Sequence, residues 1–161
     1  MSFEVVRAQP ADVEEVRTIL EGARQWLLSK GINQWIYPFA KTWLARRIEE
    51  HEVYLASWSG VFIGTLTIQW SDREIWGEMP DAAGYIHQMA VREEFRGKGL
   101  GLQLLRWGEE RIASHGKQYV RLDCLADNSK LSAYYEQAGY IFQRRAAHPQ
   151  GMLLNLYEKK F

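Results

Sequence analysis

The spacing of apolar residues changes period several times along the chain, and each change marks an element. Phe3–Arg7 reads as a short strand. Pro10 suits a first helical turn and Asp12 favours its positive end. Val13, Val16, Leu20, Ala23 and Leu27 then step by three or four, one apolar helix face, ended by Lys30-Gly31. A second helix is expected over Phe39–His51, with Leu44 and Ile48 on one face. Val53–Trp58 and Val61–Trp70 are β-rich runs joined at Ser59-Gly60, the pattern of a hairpin. Ser71–Ala83 is polar and reads as a loop. Tyr85–Val91 is strand-like. Leu100, Leu104, Leu105, Gly108 and Ile112 mark an amphipathic helix that stops near His115-Gly116. Tyr119–Leu125 is another strand, and Asn128 caps a helix that runs to about Ala138 and ends at Gly139. Tyr140–Ala146 and Met152–Tyr157 close the chain as strands around a turn at 148–151. The expected order is β-α-α-β-β-β-α-β-α-β-β, an α/β (α+β) domain with a mostly antiparallel sheet.

Composition narrows the function. The 161 residues make one domain of ordinary size, so a single domain over 1–161 is expected. Twenty basic residues balance twenty acidic ones, so no global field recruits nucleic acid or an anionic membrane, and neither is expected as a partner. Apolar runs are too short to span a bilayer, and the N-terminal MSFEVVRAQP lacks an apolar signal core, which predicts a cytoplasmic protein. The lone Cys124 excludes an intramolecular disulfide and reads as a buried residue. His51, His115 and His148 are scattered, so no metal ligand set is expected. Tryptophan is unevenly spread: Trp26, Trp35, Trp43, Trp58, Trp70 and Trp76 precede the midpoint, and only Trp107 follows it.

The most informative chemistry lies between Tyr85 and Gly101. A strand runs into a turn bearing Gly97, Gly99 and Gly101, and the turn opens a helix. Glycines let backbone N–H groups approach an anion, and a helix N-terminus adds about half a positive charge there. Arg96 and Lys98 add formal charge, so the segment suits a pyrophosphate. A P-loop would need Ser or Thr after Lys98, where Gly99 stands. A dinucleotide fingerprint needs G-x-G-x-x-G, and the spacing here is G-x-G-x-G.

Arg96-x-x-Gly99-x-Gly101 after the strand end Met89-Ala90-Val91 resembles the acyl-CoA loop of the GNAT superfamily of N-acetyltransferases. About thirty residues on, Asn128-Ser129-Lys130-Leu131-Ser132-Ala133-Tyr134-Tyr135-Glu136-Gln137-Ala138-Gly139-Tyr140 is similar to that family's second motif. The resemblance implies acetyl-CoA as co-substrate. It assigns main-chain groups of Met89, Ala90 and Val91 to the pantetheine arm and thioester carbonyl. Arg96, Gly97, Lys98, Gly99, Leu100 and Gly101 fall to the pyrophosphate, and Asn128 to the pantetheine arm, where a plain helix cap is its other role. Tyr135, four residues before Gly139, corresponds to the general acid that serves the leaving thiol. Many members place a Glu early in the strand before the loop; here Ala83, Gly84 and Tyr85 stand there instead. His87 is the local candidate for the base, with Glu78 and Asp81 as alternatives.

The implied acceptor walls are the segment from Trp26 to Trp43, with Trp35, Tyr37 and Phe39 between, and the acidic loop carrying Asp72, Glu74, Glu78 and Asp81. Aromatic faces and carboxylates suit a cation, so Trp26, Trp35 and Glu78 are expected to meet a small-molecule amine. The expected activity is transfer of acetyl from acetyl-CoA to a primary amine of a small molecule by direct attack. A protein N-terminus or lysine as acceptor, and a non-catalytic acyl-CoA-binding module, stay open. The aromatic surface would also suit a homodimer contact.

Overall fold

The structure is a computed structural model that describes residues 2–35 and 38–161. Its elements are β1 (Phe3–Arg7), α1 (Val13–Ser29), α2 (Lys41–Glu50), β2 (Glu52–Trp58), β3 (Val61–Gln69), α3 (Arg73–Trp76), β4 (Ala83–Val91), α4 (Leu100–Ser114), β5 (Tyr119–Leu125), α5 (Ser129–Gln137), β6 (Ile141–Ala147) and β7 (Leu153–Lys160). Seven strands form a sheet of order β1-β2-β3-β4-β5-β7-β6. Pairing is antiparallel for β1/β2, β2/β3, β5/β7 and β6/β7, and parallel for β4/β5. This is the expected mixed α/β, mostly antiparallel architecture. The element order also matches, with one addition: α3 is a single helical turn inside the segment that reads as a loop. Asp72 explains it, since its Oδ1 accepts from the Ile75 N–H at 3.3 Å and caps the turn. The second helix starts at Lys41 rather than Phe39, because Ala40 is extended and Phe39 is buried ahead of it. Tyr37, grouped above with the acceptor aromatics, lies outside the described residues.

The chain gathers into two compact units. The first comprises the stretch to Ile68 together with Gln88–Gly108. Its core joins α1 (Val13, Val16, Ile19, Leu20, Ala23), α2 (Leu44, Ile48), β2 (Val53, Leu55) and Ala90 of β4. The face of α1 read from the sequence is thus the core face from Val13 to Ala23, while Leu27 at its far end is only partly buried. Gly64 of β3 allows close approach of β4, for a Cβ there would stand 2.9 Å from the Ala90 carbonyl oxygen. Arg92 fastens the end of β4 by donating from Nε to the Phe62 carbonyl at 2.8 Å, and its Nη2 pairs with Glu15.

The second unit comprises Gln69–His87 and Glu109–Phe161. Trp76, Ala83, Tyr85, Leu154 and Leu156 form its buried cluster. Gly84 is required by packing: a Cβ would meet three side-chain carbons of the fully buried Ile112 at 2.6–2.8 Å. Glu109 is buried but satisfied, accepting from Tyr140 Oη at 2.8 Å and Lys159 Nζ at 3.1 Å. β4 changes unit between His87 and Gln88, where the chain makes a local kink: Gln88 has φ of 42°, in the left-handed region that side chains disfavour.

Candidate active site

After β4 a 3₁₀ turn over Glu93–Phe95 leads to Arg96, whose N–H closes on the Glu93 carbonyl. Gly97 and Gly99 both have φ of 76°, and no atom of the described residues beyond their chain neighbours lies within 4 Å of where a Cβ would sit. The turn therefore needs glycine for its backbone and leaves open space on that side. α4 begins at Leu100, which is buried and anchors the helix start; its first N–H groups lack intrahelical partners. Arg96 Nε donates to the Val91 carbonyl at 3.3 Å, so the arginine is tethered to the end of β4. Its Nη1 is buried without a hydrogen-bond partner among the described residues. A buried guanidinium nitrogen with no acceptor, beside an open glycine turn and a helix N-terminus, fits a pyrophosphate.

Trp26 belongs to this loop's surroundings. The Arg96 guanidinium lies 4.0 Å from its ring centroid, and Lys30 Nζ lies 5.8 Å from it. Trp35 packs on the first unit's core, edge-on to Phe39 at 5.3 Å. Trp43 is 40% exposed and lies beside the Arg47 guanidinium.

In the second unit the register of β4 and β5 builds the other part. Ala83, Gly84 and Tyr85 pair with Tyr119, Val120 and Arg121. Tyr85 Oη accepts from Arg121 Nη1 at 2.8 Å. Two residues further along each strand, on the same face, come His87 and Asp123. His87 Nε2 stands 3.0 Å from Asp72 Oδ2, and both groups are largely buried. The three side chains bring one ligating atom each within 4.8 Å of one another. Burial pushes the Asp123 carboxyl above the usual range, Asp72 adds to this, and His87 and His148 oppose it.

Tyr135 is buried on α5, with its ring 5.8 Å from that of Tyr140 and 6.3 Å from that of Tyr157. Burial pushes its phenol pKa upward, and the negative potential of Cys124 and Asp123 adds to this, so the proton stays on the oxygen. Cys124 is buried with Sγ 3.5 Å from Ser132 Oγ, and burial raises its thiol as well. That holds it as the inert thiol expected of a core cysteine. Asn128 is buried and caps α5, accepting from the Leu131 N–H at 3.2 Å. Glu78 pairs with Arg73 at the surface, and Asp81 with Lys117.

The second unit thus gathers His87, Asp72, Asp123, Cys124 and Tyr135, while the first gathers Met89–Val91, Arg96–Gly101 and Trp26. Sequence reading missed the role of Asp72 and passed over Asp123. A cap signal before Arg73-Glu74-Ile75 could have drawn attention to Asp72. Asp123 becomes visible only once β4 and β5 are in register.

Known proteins resemble this chain in sequence and in fold. The family model for the Acetyltransferase (GNAT) family matches residues 18–140. The N-acetyltransferase YesJ of Bacillus subtilis (strain 168) is 30% identical over 145 residues, which span 81% of this chain and 77% of that protein. Among solved structures, a GNAT-family acetyltransferase from Listeria monocytogenes superposes with a TM-score of 0.82 at 26% identity, covering 99% of this chain and 95% of its own. The PaiA N-acetyltransferase of Thermoplasma acidophilum, solved in complex with coenzyme A, has a TM-score of 0.77 at 18% identity, over 100% of each chain.

Proposed function

The chain belongs to the GNAT family of acetyltransferases, and on that premise we propose that it transfers acetyl from acetyl-CoA to the primary amine of a small molecule by direct attack. The family membership makes it an acyltransferase with acetyl-CoA as co-substrate. The loop geometry supports the assignment of Arg96, Gly97, Lys98, Gly99, Leu100 and Gly101 to the pyrophosphate. Met89, Ala90 and Val91 take the pantetheine arm with their main-chain groups, and Asn128 adds its amide to that arm while capping α5.

One observation carries the mechanistic reading: the contact of His87 Nε2 with Asp72 Oδ2 at 3.0 Å. Attack needs a neutral amine, so a proton must leave the incoming ammonium. His87 accepts that proton, and Asp72 stabilises the imidazolium that results. Glu78 and Asp81 are drawn off to surface partners, which favours His87 over them. Tyr135 serves the leaving sulfur. Because its phenol is held well above an ordinary thiol in pKa, it acts as a hydrogen-bond donor rather than surrendering its proton outright at equilibrium.

Two carboxylates beside the histidine support a cationic acceptor, and the family resemblance assigns Trp35 and Glu78 to the same role. Exposed Ile141, Phe142 and Leu153 on β6 and β7 support a homodimer, checked by light scattering. The enzymatic reading is tested by thiol release from acetyl-CoA across a panel of small amines and peptides. Turnover with a small amine, lost in His87→Gln and recovered at high pH where free amine is abundant, is the expected result. Turnover only with peptides, or an unaltered pH profile in that variant, would overturn it.

A further inference from the structure

Asp72, His87 and Asp123 have a property that proton transfer does not require. Asp72 Oδ2, His87 Nε2 and Asp123 Oδ2 are all buried, and none has a hydrogen-bond partner among the described residues. They come from three separate elements, yet lie within 4.8 Å of one another. Asp72 Oδ2 and His87 Nε2 are 3.0 Å apart but not aligned as donor and acceptor. Two ligand atoms about 2.1 Å from a tetrahedral cation stand about 3.4 Å apart, so this pair would open by a few tenths of an ångström to take an ion. Asp72 is 8% exposed, and its other oxygen is engaged by the Ile75 N–H, which fixes the carboxylate and leaves Oδ2 aimed into the cluster. Two carboxylate oxygens and one imidazole nitrogen suit a borderline divalent metal and leave a coordination place for water.

We propose that Asp72, His87 and Asp123 bind one divalent transition-metal ion of the zinc class, and that the ion inhibits acyl transfer by occupying the His87 nitrogen. The inhibitory half rests on the reading of His87 as base. The binding half does not.

The test is calorimetric titration of Zn²⁺ into the purified full-length chain, with Co²⁺ absorption in the visible as a second readout. The proposal expects one equivalent bound, with affinity falling at least about tenfold in Asp123→Asn and in His87→Ala. Thermal melts check that both variants fold, and Asp123→Asn keeps the size and shape of the side chain if His87→Ala does not. Zn²⁺ should inhibit wild-type turnover competitively with the amine and not with acetyl-CoA, reversibly with a chelator. No stoichiometric binding, or equal binding in both variants, overturns the site. An amine that binds at the trio while zinc does not overturns it too. Binding without inhibition overturns the inhibitory half. If zinc binds but His87→Ala keeps full turnover, the assignment of the base fails and the site stands. If zinc does not bind but His87→Ala is inactive, the reverse holds.

Discussion

Replacing Trp26 by Leu removes the aromatic face against which the Arg96 guanidinium lies, 4.0 Å from the ring centroid. Among the described residues the guanidinium is also held by one long hydrogen bond to Val91 O at 3.3 Å and by the charges of Glu93 and Glu94, while Nη1 is buried without a partner among them. The indole is therefore a main determinant of where the charge sits. A cation–π contact contributes about 0.5–1 kcal/mol at an exposed site and about 2 kcal/mol when desolvated. Arg96 is partly buried, which places the contact at about 1–2 kcal/mol, or about five- to thirty-fold in affinity. In Trp26→Leu the guanidinium must be ordered when the pyrophosphate arrives, so the loss falls on the co-substrate. Initial rates with acetyl-CoA varied at saturating amine should show its KM raised by that factor, with kcat and the amine KM unchanged. Titration with free CoA should show the same loss, and Trp26→Phe should keep most of the affinity. A raised amine KM with an unaltered acetyl-CoA KM would refute the reasoning and return Trp26 to the acceptor wall.

Tyr135→Phe should lower kcat by about a hundredfold or more with KM values held, as loss of a positioned acid does; a full rate by thiol release removes the role. The same substitution bears on stability: folded Tyr135 keeps its proton above about pH 10 while the unfolded chain ionises there, so wild-type stability falls as pH rises past that point, and Phe should lessen the fall in urea midpoints. Asp123 is raised by burial, so its contribution is full below its unfolded value of about 3.9 and is lost as pH rises through the folded value. Asp123→Asn should accordingly raise Tm at neutral pH and flatten its dependence above about pH 4; a lower Tm at pH 7 would contradict this. Gly84→Ala should cost about 1–3 kcal/mol by overpacking. Ile112→Val keeps two of the three clashing carbons and should not rescue it, whereas Ile112→Ala should make the pair sub-additive in urea melts; strict additivity would show that the strand moves instead.

The parts of the fold that carry their own periodicity were legible before any coordinates. The α1 face from Val13 to Ala23 is the core face, and Ser59-Gly60 turns the hairpin. The glycine turn was legible too, because positive φ demands a residue type that shows in the sequence. What escaped depends on register. His87 and Asp123 are 36 positions apart, and only the pairing of Tyr85 with Arg121 brings them to one face. The contact of Trp26 with Arg96 was not legible, because an aromatic near a helix end gives no sign of which loop it meets. The helical turn at Arg73–Trp76 is too short for periodicity, and only its capping Asp72 announces it.

The kink at Gln88 has a consequence for anyone redesigning this chain. Its left-handed backbone costs about 1–2 kcal/mol relative to a relaxed strand. Glycine would relieve that strain but lose about 0.5–1 kcal/mol in chain entropy, so the backbone alone gives little reason to prefer either residue. The side chain does: Gln88 Oε1 accepts from Arg47 Nη2 at 2.7 Å, which ties β4 to α2. A stabilisation campaign that replaces strained positions by rule would select Gln88 early, gain almost nothing in melting temperature, and cut the tether of the strand that carries His87 on one side and Met89 on the other.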